Sequence, residues 1–373
     1  MKDNIYGIEV EPDYVSFAGP CKNDIEVYMN HEGDVRTPSM VLFNKDSTVD
    51  VGLIAQYSAE LEPEMVVAPI ENYNITINFP YKYKNQLFDD KEIVALILKK
   101  VIKDIKKQKD IDVVKTVISY PAYYSKKQID KIRTAGVLAE LNVCDMIPDS
   151  IALLHLEEKF IDEHEGEDVL IVILHESHIS ASIVRIESGN VELYCASGTN
   201  SIGGWQWNSC MENHIVNLLR DKYDDSKFEM YDEEKFYIKN EAKYILDFLT
   251  EGDERLFQSR MHGQKQRIHI KKNEFMLETE HLTNQVINFI NEMVAQAYSD
   301  GKINHNRVNA VMLAGNYAYW IQKELKRKLD ADVFTCESDN SIVKGAVVYG
   351  EKLKKRIEKL DRIMNGVAVD IKL

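Results

Sequence analysis

The sequence predicts a duplicated α/β fold with two lobes around a central cleft. Three observations carry that reading. The chain opens on several short β-type runs, it then alternates strands with helices, and from about residue 169 it passes through the same order again.

The first quarter reads as strands. Ile5 to Val10, Asp24 to Met29, Met40 to Phe43 and Thr48 to Gly52 are short β-type runs broken by Gly, Pro, Asn and Asp. His31-Glu32-Gly33-Asp34 reads as a turn between two of them. A helix follows, because Val94, Ile97, Leu98, Val101, Ile102 and Ile105 recur on one helical face, with Asp89 or Asp90 as its cap. Thr116 to Tyr120 is a strand ended by Pro121, and Ser125 with Gln128 forms a capping box for a helix reaching about Leu141. Val143 to Ile147 is another β run. A helix through Ile151, Leu154 and Phe160 then leads into the acidic stretch Asp162 to Asp168, the best lobe boundary.

The second pass begins at Val169 to Leu174, a nearly continuous apolar run of the kind buried on both faces. Ser180 to Ser197 reads as a hairpin turning at Ser188-Gly189-Asn190. Helices are predicted over Trp207 to Lys222, Glu233 to Leu249 and Leu282 to Ser299. Val308 to Leu313 is a strand, a helix runs on to Leu329, and Asn340 to Asn365 is a long helical stretch. The expected division is residues 1–164 plus 338–373 for the first lobe and 165–337 for the second.

Composition narrows the function classes. The formal net charge of −15 argues against binding duplex nucleic acid, which needs a basic face. No run of about 18 apolar residues suggests a membrane span, and Met1-Lys2-Asp3-Asn4 carries no apolar signal core, so a cytoplasmic protein is expected. The five cysteines are scattered without a CxxC pair, so neither a disulfide framework nor a zinc site is suggested. Two basic runs, Lys99 to Lys109 and Lys352 to Lys359, read as solvated helix faces, with docking of an acidic partner as the alternative. His175, Glu176 and His178 can be read as a metal cluster, but their spacing matches no zinc motif and no metal is expected. Trp205 and Trp207 read as packing residues rather than a binding hot spot.

The segments Val117-Ile118-Ser119-Tyr120-Pro121-Ala122-Tyr123-Tyr124, Gly198-Thr199-Asn200-Ser201-Ile202-Gly203-Gly204 and Val311-Met312-Leu313-Ala314-Gly315 resemble three segments of the 70-kDa heat-shock chaperones, VPAYF, GDTHLGG and VLVGG. Thr37-Pro38-Ser39, Val51-Gly52 and Lys344-Gly345-Ala346 fall in the same order at similar spacing. The resemblance implies the actin-like ATPase fold, with ATP and magnesium in the cleft between two lobes. It also implies a second lobe with a reduced upper part, because Trp205 to about Lys272 is shorter than in the family.

The same resemblance shows what has been replaced. The family's first phosphate loop, DLGTT, matches Glu9, Val10, Glu11, Pro12 and Asp13. Pro12 removes an N–H donor. Glu11 and Asp13 put negative charge where phosphate would lie, each pair repelling by roughly 1 kcal/mol in water at about 4 Å. The second loop, DLGGGTFD, matches Ile173 to Ser180, so its first carboxylate is Ile173 and its glycines are His175, Glu176 and Ser177. The catalytic lysine matches Ile70. Glu9 and Asp149 remain as acids, the latter in place of a glutamate. On the adenosine side Gly204, Lys243, Gly315, Asn316 and Asp339 are matched, while Asn240, Tyr244 and Ala318 depart from the pattern.

These replacements lead to the expectation of a pseudo-ATPase domain without catalytic residues or cofactor. It would act by protein binding or scaffolding, with a co-chaperone or client as partner and neither nucleic acid nor membrane. The alternative is a divergent ATPase that binds ATP or ADP with magnesium and uses Glu9, Asp149 and Asp339 in a rearranged cleft.

Overall fold

The computed structural model describes residues 4–22, 24–68, 79–111, 115–222, 228–261, 264–304, 307–329, 331–336 and 340–364. Ile70, Asp339 and the tail from Val367 to Leu373 lie outside the described residues.

β1 (Ile5–Val10) is buried along its whole length, and β2 (Tyr14–Cys21) returns antiparallel beside it with Val10 facing Val15. β3 (Asp24–Val27) and β4 (Arg36–Pro38) both pair antiparallel with β2. β5 (Val41–Phe43), β6 (Val49–Val51) and, after α1 (Leu53–Leu61), β7 (Val66–Val67) form a small sheet of their own. β8 (Tyr81–Tyr83) and β9 (Gln86–Phe88) make a hairpin ahead of α2 (Asp90–Lys109). The Asp89 N–H donates to Glu92 at the start of α2, satisfying one orphan donor of that turn. Ile93, Ile97, Leu98, Val101 and Ile105 are its buried stripe. They pack with Ile8, Val10, Phe17 and Ile118 in one apolar core. Each such side chain contributes about 2 kcal/mol when fully buried.

β10 (Lys115–Tyr120) lies parallel to β1, and β11 (Asn142–Pro148) lies parallel to β10. Between them runs α3 (Lys126–Leu138), whose capping box is the expected one: Ser125 N–H donates to Gln128 Oε1 at 3.0 Å. The predicted helix through Ile151 to Phe160 is two helices, α4 (Asp149–Leu156) and α5 (Glu158–Glu163), broken at Glu157.

β12 (Asp168–Leu174), β13 (Ile179–Glu187) and β14 (Asn190–Thr199) follow. Ser188 and Gly189 both have positive φ, the two-residue turn that matches strand twist. Then come α6 (Trp205–Arg220), α7 (Asp232–Glu251) and a hairpin of β15 (Glu254–Met261) and β16 (Gln264–Lys271). Trp207 is fully buried, as a packing residue should be. α8 (Lys272–Glu278), α9 (Glu280–Ser299), β17 (Ala310–Ala314), α10 (Ala318–Lys328), β18 (Asp332–Thr335) and α11 (Ser341–Met364) complete the order.

The duplication is visible in topology. The first sheet runs β11-β10-β1-β2-β3 and the second β14-β13-β12-β17-β18. In each, a first strand sits centrally, the next two in sequence extend to one side, and the last two extend to the other. A fold arrived at twice in one chain is what the repeated strand–helix order predicts. The strands β2, β4, β7, β8, β9, β15, β16 and β18 and the helices α1 and α8 went unpredicted.

The chain divides into two compact units. One comprises Met1–Ile171, Ser180–Asn200 and Cys336–Leu373, the other Val172–Ile179 and Ser201–Thr335. Within the first, α11 packs on β1 and α4 at glycine-sized separations. A Cβ on Gly345 would lie 1.8 Å from the Ala152 carbonyl oxygen, and one on Gly7 would lie 2.5 Å from that of Val343.

Candidate functional site

In the first unit the candidate residues gather where β1 turns into β2. Glu9 is the penultimate residue of the buried strand, and the Glu11 N–H donates to the Tyr14 carbonyl at 2.9 Å, closing the turn. The Tyr14 hydroxyl donates to Glu9 Oε1 at 2.7 Å. The Arg36 guanidinium lies 4.7 Å from the centroid of the Tyr14 ring, because β4 pairs with β2 in the register Ser16 to Arg36. The Ser39 hydroxyl donates to the Glu11 carbonyl at 3.1 Å.

Asp149 joins this group from the first residue of α4. Its carboxylate accepts the Ser150 N–H at 2.5 Å, the Ala122 N–H at 3.1 Å and the Ser180 hydroxyl at 3.3 Å. Glu9, Glu11 and Asp149 are all buried. Burial pushes the Glu9 carboxyl up to about 7. The Tyr14 hydrogen bond and the Arg36 charge hold it down, and the charges of Asp149 and Asp13 add to the rise. Burial also raises Asp149 to about 7, against the three hydrogen bonds it accepts. Glu11 is raised well above the usual carboxylate range, first by burial and then by the charges of Asp149, Glu9 and Asp13. The structure thus brings Glu9 and Asp149 together, and adds Tyr14 and Arg36, which the sequence reading did not single out. The available clue was alternation: Tyr14 and Ser16 share a face of a strand that the reading missed.

In the second unit the loop His175 to Ser177-His178 joins β12 to β13. It is pinned from within and without. The His175 N–H donates to the His178 carbonyl at 3.0 Å, the Gly204 N–H to the His175 carbonyl at 2.8 Å, and the Trp205 N–H to the Glu176 carbonyl at 2.9 Å. The His175 and His178 rings lie 4.9 Å apart, both buried, and burial lowers the His178 pKa to about 3, so this ring is neutral. His178 Nδ1 is 3.1 Å from the Ser177 hydroxyl.

Four side chains from separate elements form one chain of polar contacts here. Lys243 of α7 donates to Glu176 Oε2 at 2.8 Å, and Asn208 of α6 reaches Glu176 Oε1 at 3.5 Å. The hydroxyl of Tyr317, just ahead of α10, donates to Asn208 Oδ1 at 3.1 Å. The Tyr317 ring also covers Gly204, where a Cβ would lie 2.1 Å from it. Gly315 has φ +90°, and a Cβ there would sit 2.4 Å from the Leu174 carbonyl oxygen, so only glycine fits. Asn316 Oδ1 is buried without a hydrogen-bond partner among the described residues.

Gly204, Lys243, Gly315 and Asn316 are therefore gathered around one loop, with Lys243 engaged by Glu176 and Gly204 covered by Tyr317. Tyr317 and Asn208 were not legible beforehand. A bulky aromatic directly after Gly315-Asn316 was the one local signal.

The profile of the Hsp70 protein family matches residues 65–367 of this chain. The chain is similar to chaperone protein DnaK of Thermotoga neapolitana, 26% identical over 302 residues, which are 78% of this chain and 49% of that protein. It is also 26% identical over 325 residues to chaperone protein DnaK of Thermosipho africanus, covering 83% of this chain and 52% of that protein. The chain spans about half the length of the curated relatives it matches. With a family match over most of its length and the doubled strand order of the actin-like ATPase fold, this chain belongs to the Hsp70 family.

Proposed function

We propose that this chain is a pseudo-ATPase domain of the Hsp70 family that acts by protein binding or scaffolding, with ATP hydrolysis lost and no cofactor held. The observation that carries the reading is the Glu176–Lys243 ion pair at 2.8 Å. Glu176 replaces a glycine of the phosphate loop that the resemblance implies, and it occupies the lysine matched to the adenosine side.

Two further features support the reading. A phosphate cradle needs converging backbone N–H groups. In this loop the His175 N–H is already committed to the His178 carbonyl, and the loop's side chains are two imidazoles, a carboxylate and a hydroxyl. In the first unit the β1–β2 turn carries Glu11 and Asp13 as neighbours of Glu9, a set that repels a triphosphate. Losing three or four phosphate hydrogen bonds at about 1–3 kcal/mol each lowers affinity by several orders of magnitude.

The partner in this proposal is a co-chaperone or client protein, and the setting is cytoplasmic, where five free cysteines would stay reduced. No described helix is long and apolar enough to cross a membrane. Isothermal titration with Mg-ATP and Mg-ADP tests the central claim. No heat of binding is expected at micromolar protein, and a dissociation constant in the micromolar range or tighter would sink it.

A second reading, a divergent ATPase, is favoured by one observation. Glu9 and Asp149 titrate near 7, where a carboxylate can exchange a proton at neutral pH. That reading requires phosphate release that disappears in Glu9→Gln or Asp149→Asn. Turnover that survives both substitutions removes it.

A further inference from the structure

We propose that one face of α2 is a docking groove for an extended acidic peptide with carboxylates at alternate positions. This rests on the protein-binding reading above and gives the partner a chemistry.

The groove has a volume of about 530 Å³ and runs along α2 beside the end of α3. Ile102 and Ala139 give it an apolar floor, and Lys99, Lys103, Lys106 and Lys107 line it. Of these, Lys99, Lys103 and Lys107 are exposed and make no ion pair among the described residues. Their neighbours on the same helix behave differently. Lys91 pairs with Asp89 at 3.3 Å, Lys100 with Glu32 at 3.2 Å, and Lys109 with Glu26 at 2.6 Å. The chain carries 61 acidic against 46 basic residues, so acids to neutralise a lysine are plentiful. Three of the four lysines on the groove are therefore left without an ion pair among the described residues.

Spacing then selects the ligand. Lys99, Lys103 and Lys107 are four residues apart, which on an α-helix is about 6 Å per step. An extended peptide repeats its side-chain direction every second residue, about 6.6–6.8 Å. Three alternate carboxylates therefore meet three lysines nearly in register, with the intervening side chains facing away. Asp110, at the C-terminal end of α2 beyond Lys107, and Glu140, next to Ala139, also line the groove and repel a further carboxylate. A long polyanion such as nucleic acid is disfavoured because it would extend over a chain of net charge −15. A short peptide feels mainly the local lysines, within a Debye length of about 10 Å at 0.1 M salt.

The test is fluorescence anisotropy with a labelled heptapeptide that begins and ends with threonine and alternates it with three glutamates, titrated with the full chain. Binding is expected to weaken at least tenfold in the triple variant Lys99→Gln, Lys103→Gln, Lys107→Gln, and at least tenfold between about 50 and 300 mM salt. Circular dichroism melts should show the triple variant folded, since all three positions are exposed. Equal affinity for a peptide of glutamine and threonine would overturn the proposal, as would unchanged affinity in the triple variant. Tighter binding of an oligothymidylate of equal charge would also overturn it. A Mg-ATP titration on the same sample keeps the two readings apart. Nucleotide binding there sinks the pseudo-ATPase reading without touching the peptide result.

Discussion

Glu9→Gln should stabilise the protein at pH 8 and do little at pH 4. The carboxyl of Glu9 is fully buried and titrates at about 7, against an ordinary value of 4.5. Below pH 4.5 both folded and unfolded chains hold the proton, and the buried neutral acid costs little. As pH rises towards 7 the unfolded chain releases its proton while the folded chain keeps it, so folding binds a proton and stability falls with pH. Above 7 the loss is complete. At about 1.4 kcal/mol per pH unit, the difference between 4.5 and 7 corresponds to roughly 3 kcal/mol for this one group. Glutamine keeps an oxygen to accept the Tyr14 hydroxyl and has no charge to lose. Urea denaturation of wild type and variant at pH 4, 5, 6, 7 and 8 reads the difference directly, and taking the difference cancels the titrating groups that do not interact with Glu9, leaving Glu9 and its coupled neighbours Glu11, Asp13 and Asp149. The stability gap should open between pH 5 and 7 and stay open at 8. A gap that is constant with pH, or that closes as pH rises, would refute the assignment of a raised Glu9 pKa.

Asp149→Asn should show the same pattern over a window beginning lower, near its ordinary 3.8 and ending at about 7, with a smaller gain because the amide nitrogen that replaces Oδ2 cannot accept the Ser180 hydroxyl, while Oδ1 still accepts both N–H groups. Gly204→Ala should cost about 1–3 kcal/mol by driving a methyl into the Tyr317 ring, and Tyr317→Ala in the same chain should recover most of it, as read in a denaturation cycle. Glu176→Gln should lower stability by no more than about 1 kcal/mol, because Lys243 is 49% exposed and the pair is screened by solvent; a melting shift of only a few degrees is the expected reading. Ser125→Ala should cost about 1 kcal/mol by removing the cap of α3, seen as a matching loss in urea midpoint.

Local signals in the sequence located the elements whose cause is local. Asp89, one of the two caps read from the sequence, marks the start of α2, and Ser125 with Gln128 marks that of α3 because its capping groups are three residues apart. Ser188-Gly189 marks the β13–β14 turn because both residues accept positive φ. β2 was missed because its run Tyr-Val-Ser-Phe-Ala-Gly-Pro-Cys contains Gly19 and Pro20, which read as breakers. Pairing with both β1 and β3 overrides that local preference. The β15–β16 hairpin hid for the opposite reason. Gln264 to Lys271 alternates polar side chains with Ile268 and Ile270, and only part of one face is buried, against α7 and α6. For the candidate site, Glu9 and Asp149 were found through a resemblance, whereas the contacts that define their chemistry were not. Tyr14 sits in a strand that went unread, and Lys243 reaches Glu176 across 67 residues of chain, a pairing that only the folded backbone sets.

The close fit of α11 bears on synthesis. The face of β1 that receives it is cut to glycine size at Gly7, and α4 accepts the helix where Gly345 meets Ala152. Val343 and Val347 then cover Ala18 of β2. A ribosome has therefore to deliver residue 341 and its successors before the strand made first can lose its last contact with water. Until then the nascent chain carries an apolar strip on β1 and β2 that has no substitute cover, because a larger helix residue in place of Gly345 would not fit. The second unit, closed by residue 335, is under no such delay. Arrest peptides joined through linkers long enough to bring residue 335 or residue 364 clear of the ribosomal tunnel should thus report tension at two separate chain lengths, with the N-terminal unit the later to pull.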